Sequence, residues 1–201
     1  MANVLVLFAH PLLEKSRIHS ALLTAAKSVP NVTINDLYEK YPDFDIDVER
    51  EKKLLLSHSI IIWQYPLYWY SCPPLLKQWL DLVLEHGWAY GKKGNALRDK
   101  KVFAVMSTGG SADAYQPGGY NKYSIHDYLR PMERSAELCH MDYWPPFWIH
   151  SSHRMETLQI DKYAEQYKNM LMALTNDIFS DEEIRSQQLM NQLFPTASTN
   201  V

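Results

Sequence analysis

A chain of 201 residues is long enough for one domain, and 20 basic against 23 acidic side chains leave a net charge of −3, with no basic footprint for a nucleic acid. A hydrophobic fraction of 46% and a charged fraction of 21% describe a globular protein, and no apolar run is long enough to span a bilayer. Cys72 and Cys139 are too far apart for a zinc motif or a disulfide framework, and none of the eight histidines has metal-ligand spacing. No metal site is expected, and the default setting is reducing and cytoplasmic.

The apolar opening MANVLVLFAH lacks a basic leader segment and a cleavage site, so residues 4–9 read as a first strand. A helix follows over residues 17–26, entered through Ser16 as N-cap. Residues 32–37 form a second strand, and a helix over 48–58 leads to a third strand at 60–63. The helix at 74–84 places Leu75, Leu76, Trp79, Leu80 and Val83 on one face, with Pro74 near its start, where proline is tolerated. A fourth strand covers 102–106, and the next helix, 124–139, carries Pro131, where a kink or break is expected. A weaker fifth strand lies within 141–150. The last helix sets Ile160, Tyr163, Tyr167, Leu171, Leu174 and Ile178 at spacings of three and four. Beyond Asp181 the composition turns polar, so residues 1–180 read as one domain and 181–201 as a mobile tail.

The first, third and fourth runs are hydrophobic throughout rather than alternating, as strands buried on both faces of a parallel sheet are. Strand and helix in alternation predict a doubly wound α/β sheet with helices on both faces. Ligands then bind beyond the carboxyl ends of the strands, so the loops at residues 10–16, 65–73 and 107–121 form the expected site.

Each of those loops carries a suitable chemistry. Ser16 and Arg17 stand at a helix N-terminus, where a hydroxyl, a guanidinium and open amides suit a phosphate, although the same residues make an ordinary N-cap. The second loop puts Tyr68, Trp69 and Tyr70 on a proline-stiffened backbone, which taken alone reads first as core or dimer-interface packing and second as a wall for a planar ligand. In the third, Gly109 and Gly110 permit close backbone approach, and Tyr115 and Tyr120 offer hydroxyls beside the turn at Gly118 and Gly119. Together these features suit a phosphorylated flat cofactor, for which flavin mononucleotide (FMN) is the natural candidate.

The opening His-Pro with its downstream Ser16, the segment PLYWYSCPPLLKQWLDLVLEHGWAYG and the STGG loop resemble the flavodoxin-like NAD(P)H:quinone oxidoreductases. Within that family, the stretch DLYEKYPDFDIDVEREKKLL is most similar to KefF and KefG, ancillary proteins of glutathione-gated potassium efflux antiporters. The resemblance implies a five-stranded sheet of order 2-1-3-4-5 and bound FMN, with NAD(P)H as hydride donor. It implies a quinone or related electrophile as acceptor, reduced by two electrons in a ping-pong cycle. By the same resemblance His10, Ser16, Arg17, Ile18 and His19 take the phosphate and ribityl position, and Leu67, Tyr68, Trp69 and Tyr70 flank the isoalloxazine. Ser107, Thr108, Gly109 and Gly110 supply the backbone at the ring edge. Tyr115 falls where animal quinone reductases have a tyrosine that assists hydride transfer. Asn121 stands near the place of their accompanying histidine, so only the tyrosine hydroxyl is expected to act. A homodimer is implied, with Trp79 and Trp88 reaching the second subunit. So is a membrane antiporter partner, which would hold the protein at the cytoplasmic face of the inner membrane.

Overall fold

The computed structural model describes residues 1–195. Its centre is a parallel sheet in which β1 (Val4–Phe8) lies between β2 (Val32–Asp36) and β3 (Ile60–Pro66), and β4 (Lys101–Ser107) pairs with β3. The fifth position is shared by two short pieces, β5 (Asp142–Tyr143) and β6 (Phe147–Ile149), both paired to β4. Pro145 and Pro146 lie between them and have no N–H to give the ladder. The order β2-β1-β3-β4-β5 is the expected one.

Side chains alternate across β1, β3 and β4 into two cores. Leu5, Leu7, Ile61, Trp63 and Tyr65 pack beneath α3 (Val48–Ser57), α4 (Pro74–Val83) and α5 (Ile125–Leu138), reached after the one-turn α2 (Leu37–Lys40). Val4, Val6, Phe8, Ile60, Ile62 and Phe103 pack under α1 (Arg17–Lys27) and α6 (Thr157–Thr175). Among the described residues no helix is long and apolar enough to cross a membrane.

The structure corrects several expectations. β3 runs on through the buried Gln64, Tyr65 and Pro66, so the aromatic loop begins only at Leu67. Pro131 does not break α5, whose first turn is held by a Ser124–Asp127 capping box and whose Ile125, Leu129, Met132 and Ala136 are buried. Helix α6 ends before Ile178, which is 63% exposed. Asp177 adopts φ +51°, and the Asp177 and Ile178 amides donate to the Leu174 and Ala173 carbonyls, a Schellman termination. Trp79 is a core residue rather than a surface contact, 1% exposed and donating its Nε1–H to Glu51 at 2.8 Å. Residues 181–195 are packed, not a loose tail. A short helix α7 (Asp181–Arg185) buries Ile184, and Met190 is fully buried against the α1/α6 core. The Asn191 side chain accepts from the Trp148 amide at 2.8 Å and donates to the Trp148 carbonyl at 3.2 Å, so it covers the open edge of β6. The rest of the expected tail, residues 196–201, lies outside the described residues.

Glu51 is the polar hub that holds α3 to the sheet. Its carboxylate is fully buried and accepts from Asn35 Nδ2 at 2.7 Å, Tyr41 Oη at 2.6 Å, Trp79 Nε1 and Arg50. Removing the carboxylate strands the buried Asn35, Tyr41 and Trp79 donors without water, which costs about 3–5 kcal/mol. Glu51→Ala is therefore expected to lower unfolding free energy by that amount in urea denaturation, and a loss below about 1 kcal/mol would remove Glu51 from this role.

Candidate functional site

The loops after β1, β3, β4 and β6 enclose one cleft at the carboxyl edge of the sheet, in two halves that meet at Leu67 and Gly109. The inner half, about 370 Å³, is lined by His10, Lys15, Ser16, Arg17, Ile18, Tyr68, Ser107, Ser152 and His153 among others. The outer half, about 480 Å³, is lined by Trp69, Tyr70, Gly109, Gly110, Tyr115, Tyr120, Asn121, Ser151 and Arg154 among others. Cationic side chains line both halves, and no described carboxylate lines either.

In the inner half, Ser16 caps α1 by accepting from the His19 amide at 3.3 Å. Arg17 reaches across to the start of α6, donating to the Met155 carbonyl at 3.1 Å and to Thr157 Oγ1 at 3.2 Å. Its guanidinium therefore also ties two helix ends together. His10 is 5% exposed and accepts from the Leu12 amide on Nδ1 at 3.1 Å, which leaves the neutral ring's proton on Nε2. Burial holds His10 below the usual histidine range.

The aromatic wall is a strained turn. Trp69 and Tyr70 both have positive φ, +49° and +64°, and the Ser71 amide closes onto the Tyr68 carbonyl at 3.0 Å. This is a type I′ turn built without glycine or asparagine, at a cost of roughly 1–2 kcal/mol for each left-handed residue. The strain presents Trp69 at 94% exposure. Tyr70 stacks on Tyr128 at 5.2 Å and donates to Asn121 Oδ1 at 3.3 Å, which joins this wall to the loop after β4.

Opposite stands the glycine shelf. A Cβ on Gly109 would lie 2.5 Å from the His153 ring, which would have to move, and one on Gly110 would lie 3.1 Å from the Tyr115 ring, a tight contact, so the shelf has little room for side chains. Tyr115 is half-buried, edge-on to Tyr128 at 5.8 Å and to Trp148 at 5.6 Å. Burial raises its pKa, so the hydroxyl keeps its proton at neutral pH. Burial likewise raises the Cys72 thiol, which leaves it a poor nucleophile.

Two expected site residues do not line the cleft. His19 is fully buried, its Nε2 lying 2.9 Å from Ser107 Oγ. Thr108 is 1% exposed, and its hydroxyl bridges the Trp148 indole at 3.0 Å and the Gly110 carbonyl at 3.2 Å. Conversely, residues 151–154 were not anticipated. The Ser151 and Ser152 amides donate to the Gly110 and Thr108 carbonyls, which fixes this loop against the shelf. The signal was available, since this loop also leaves the carboxyl end of a strand, but the split strand hides its end.

A doubly wound parallel sheet with a cleft beyond its carboxyl edge, richer in cationic groups inside and in aromatic rings outside, fits a protein of the flavodoxin class. The family model for the flavodoxin-like fold, Flavodoxin_2, matches residues 2–171, and the chain belongs to that family. It is 44% identical over 191 residues to YdeQ of Bacillus subtilis, named an uncharacterized NAD(P)H oxidoreductase, covering 95% of each chain. It is 45% identical over 169 residues to the potassium-efflux ancillary protein KefG of Serratia proteamaculans, covering 84% of this chain and 92% of that one. Among solved structures, general stress protein 14 of Treponema denticola in complex with FMN superposes with a TM-score of 0.80 at 40% identity, over 86% of this chain and 99% of that one. An NADPH-quinone reductase from P. pentosaceus gives 0.76 at 35% identity, over 83% and 96%.

Two outcomes follow for the isolated protein. Trp69→Asn suits the left-handed position and removes an exposed ring, so stability in urea is expected to rise by up to about 1 kcal/mol. No gain would argue against strain in the turn. For His19, burial, followed by the nearby His10, lowers the pKa from 6.5 to about 3. The unfolded chain then binds the proton more readily, so stability is full above the unfolded value and lost as pH falls toward the folded one. The slope approaches about 1.4 kcal/mol per pH unit, and His19→Gln should flatten it in pH-dependent denaturation.

Proposed function

We propose that this protein is an FMN-dependent NAD(P)H:quinone oxidoreductase. The observation that carries the reading is the division of one cleft into a cationic, hydroxyl-rich half and an aromatic half that meet at Leu67 and Gly109. The chemistry of these donors fits FMN. Lys15, Ser16, Arg17 and the α1 amides suit the phosphate, and the glycine shelf with Tyr68, Trp69 and Tyr70 suits the ring. The similarity to an FMN complex and to named NAD(P)H and quinone reductases supports the same assignment.

When bound, FMN supplies the hydride and two-electron chemistry. The chain supplies position and electrostatics. Trp69 and Tyr120, 94% and 90% exposed, leave the outer half open to a flat reactant from solvent. The dinucleotide and the quinone use that half in turn, which gives ping-pong kinetics. Tyr115 holds a protonated hydroxyl at this half and donates a hydrogen bond to the reacting substrate; Asn121 beside it has no proton to exchange at neutral pH. A homodimer belongs to the same reading, and the exposed ring of Tyr123, outside the cleft lining, suits coverage by a second copy.

The test is a visible spectrum of the purified protein under anaerobic conditions. A flavin spectrum that bleaches with NADPH and returns with quinone is expected; failure to hold or take up FMN would overturn the proposal. Tyr115→Phe is expected to lower kcat/KM for quinone reduction about tenfold while FMN affinity stays within about twofold. A second reading, docking on a potassium efflux antiporter at the membrane, is favoured by the similarity to KefG. Under it, Tyr115→Phe keeps full antiporter binding and activation; under the enzymatic reading alone, the variant loses its cellular effect.

A further inference from the structure

Four buried polar side chains from four elements form a line that ends at the cleft. Tyr167 of α6 donates its hydroxyl to Gln64 Oε1 at 2.8 Å. Gln64 Nε2, on β3, lies 3.4 Å from His19 Nδ1, and His19 Nε2, on α1, lies 2.9 Å from Ser107 Oγ at the end of β4. Tyr167, Gln64 and His19 are fully buried; Ser107 is 5% exposed and lines the inner half of the cleft.

The direction of this line is decidable from its far end. A phenol has one proton, and Gln64 is the only hydrogen-bond partner of the Tyr167 hydroxyl among the described residues. With Oε1 accepting that proton, the amide's NH₂ faces His19 and can only donate. Nδ1 must then be bare and Nε2 protonated, so Nε2–H donates to Ser107 Oγ. Turning the Gln64 amide over would orphan the phenol proton in the core, a cost of about 1–3 kcal/mol. It would also put the proton on Nδ1 and make Ser107 donate inward, leaving only lone pairs for the cleft. Burial keeps His19 neutral, as the line requires.

We infer that Tyr167, Gln64 and His19 are positioning residues that set the Ser107 hydroxyl as a hydrogen-bond donor toward an acceptor atom of the ligand in the inner cleft. As a statement about FMN the inference rests on the flavin reading above; as a statement about Ser107 it does not. The hydroxyl of a serine is otherwise free to rotate and to present either lone pair or proton. Here its inward lone pair is taken, so it enters the cleft pre-oriented.

The first measurement is long-range proton–nitrogen correlation on histidine-labelled protein without cofactor. His19 Nδ1 is expected to resonate as a bare nitrogen and Nε2 as a protonated one; the reverse assignment overturns the inference. The second is FMN titration followed by flavin fluorescence. Ser107→Ala and Tyr167→Phe should each weaken binding about tenfold, and the double variant no more than Ser107→Ala alone. Wild-type affinity in a folded Tyr167→Phe, beside a loss in Ser107→Ala, overturns the relay. If the unaltered protein takes up no FMN, the flavin reading fails, and the nitrogen shifts still decide the direction of the line.

Discussion

Parallel pairing of β1, β3 and β4, buried on both faces, is the constraint on which the rest of the molecule depends. Their register sets Phe8 beside Gln64, Gln64 beside Val105 and Pro66 beside Ser107, so three chains stop at one edge and hand over to loops there. Helices on both faces are needed to cover such a sheet, and the crossovers they make send every strand in the same direction. The cleft is a consequence of that geometry. Its walls are built where those loops leave the ladder, from Leu67 after β3 and from Gly109 and Gly110 after β4.

What the loops do at that edge is governed by competition between strain and packing. Tyr68, Trp69, Tyr70 and Ser71 form a turn whose backbone favours glycine or asparagine, yet two large aromatics occupy it. Tyr70 recovers part of the cost by stacking on Tyr128 and bonding Asn121, whereas Trp69 recovers none within the chain. Strain held at an exposed residue does not serve the stability of the chain that carries it. On the opposite side the glycine shelf is fixed by the loop of residues 151–154, which lies over it through two backbone hydrogen bonds. The cleft is therefore open at one wall and rigid at the other.

The pattern of buried polar groups follows the same division. The Glu51 carboxylate with its four donors and the line from Tyr167 to Ser107 lie on opposite faces of the sheet, and the carboxylate and the Tyr167, Gln64 and His19 side chains are fully buried. The first closes on itself and holds helices together. The second ends at the Ser107 hydroxyl in the lining of the cleft.

The sequence by itself determined the alternation of strand and helix, the sheet order implied by its family resemblance and the loops that line the cleft. Those features are local or periodic: unbroken apolar runs, N-caps, paired glycines and an aromatic cluster each declare themselves within a few residues. Only the tertiary structure decided that His19 and Thr108 turn inward, that residues 151–154 complete the cleft, and that residues 181–195 cover the sheet edge. Each of these depends on partners far along the chain, such as His19 with Ser107, Thr108 with Trp148 and Asn191 with Trp148. Tyr167 illustrates the difference. Its spacing marked it as one more residue of an apolar helix face, and its hydroxyl gained a direction only when β3 placed Gln64 beneath it.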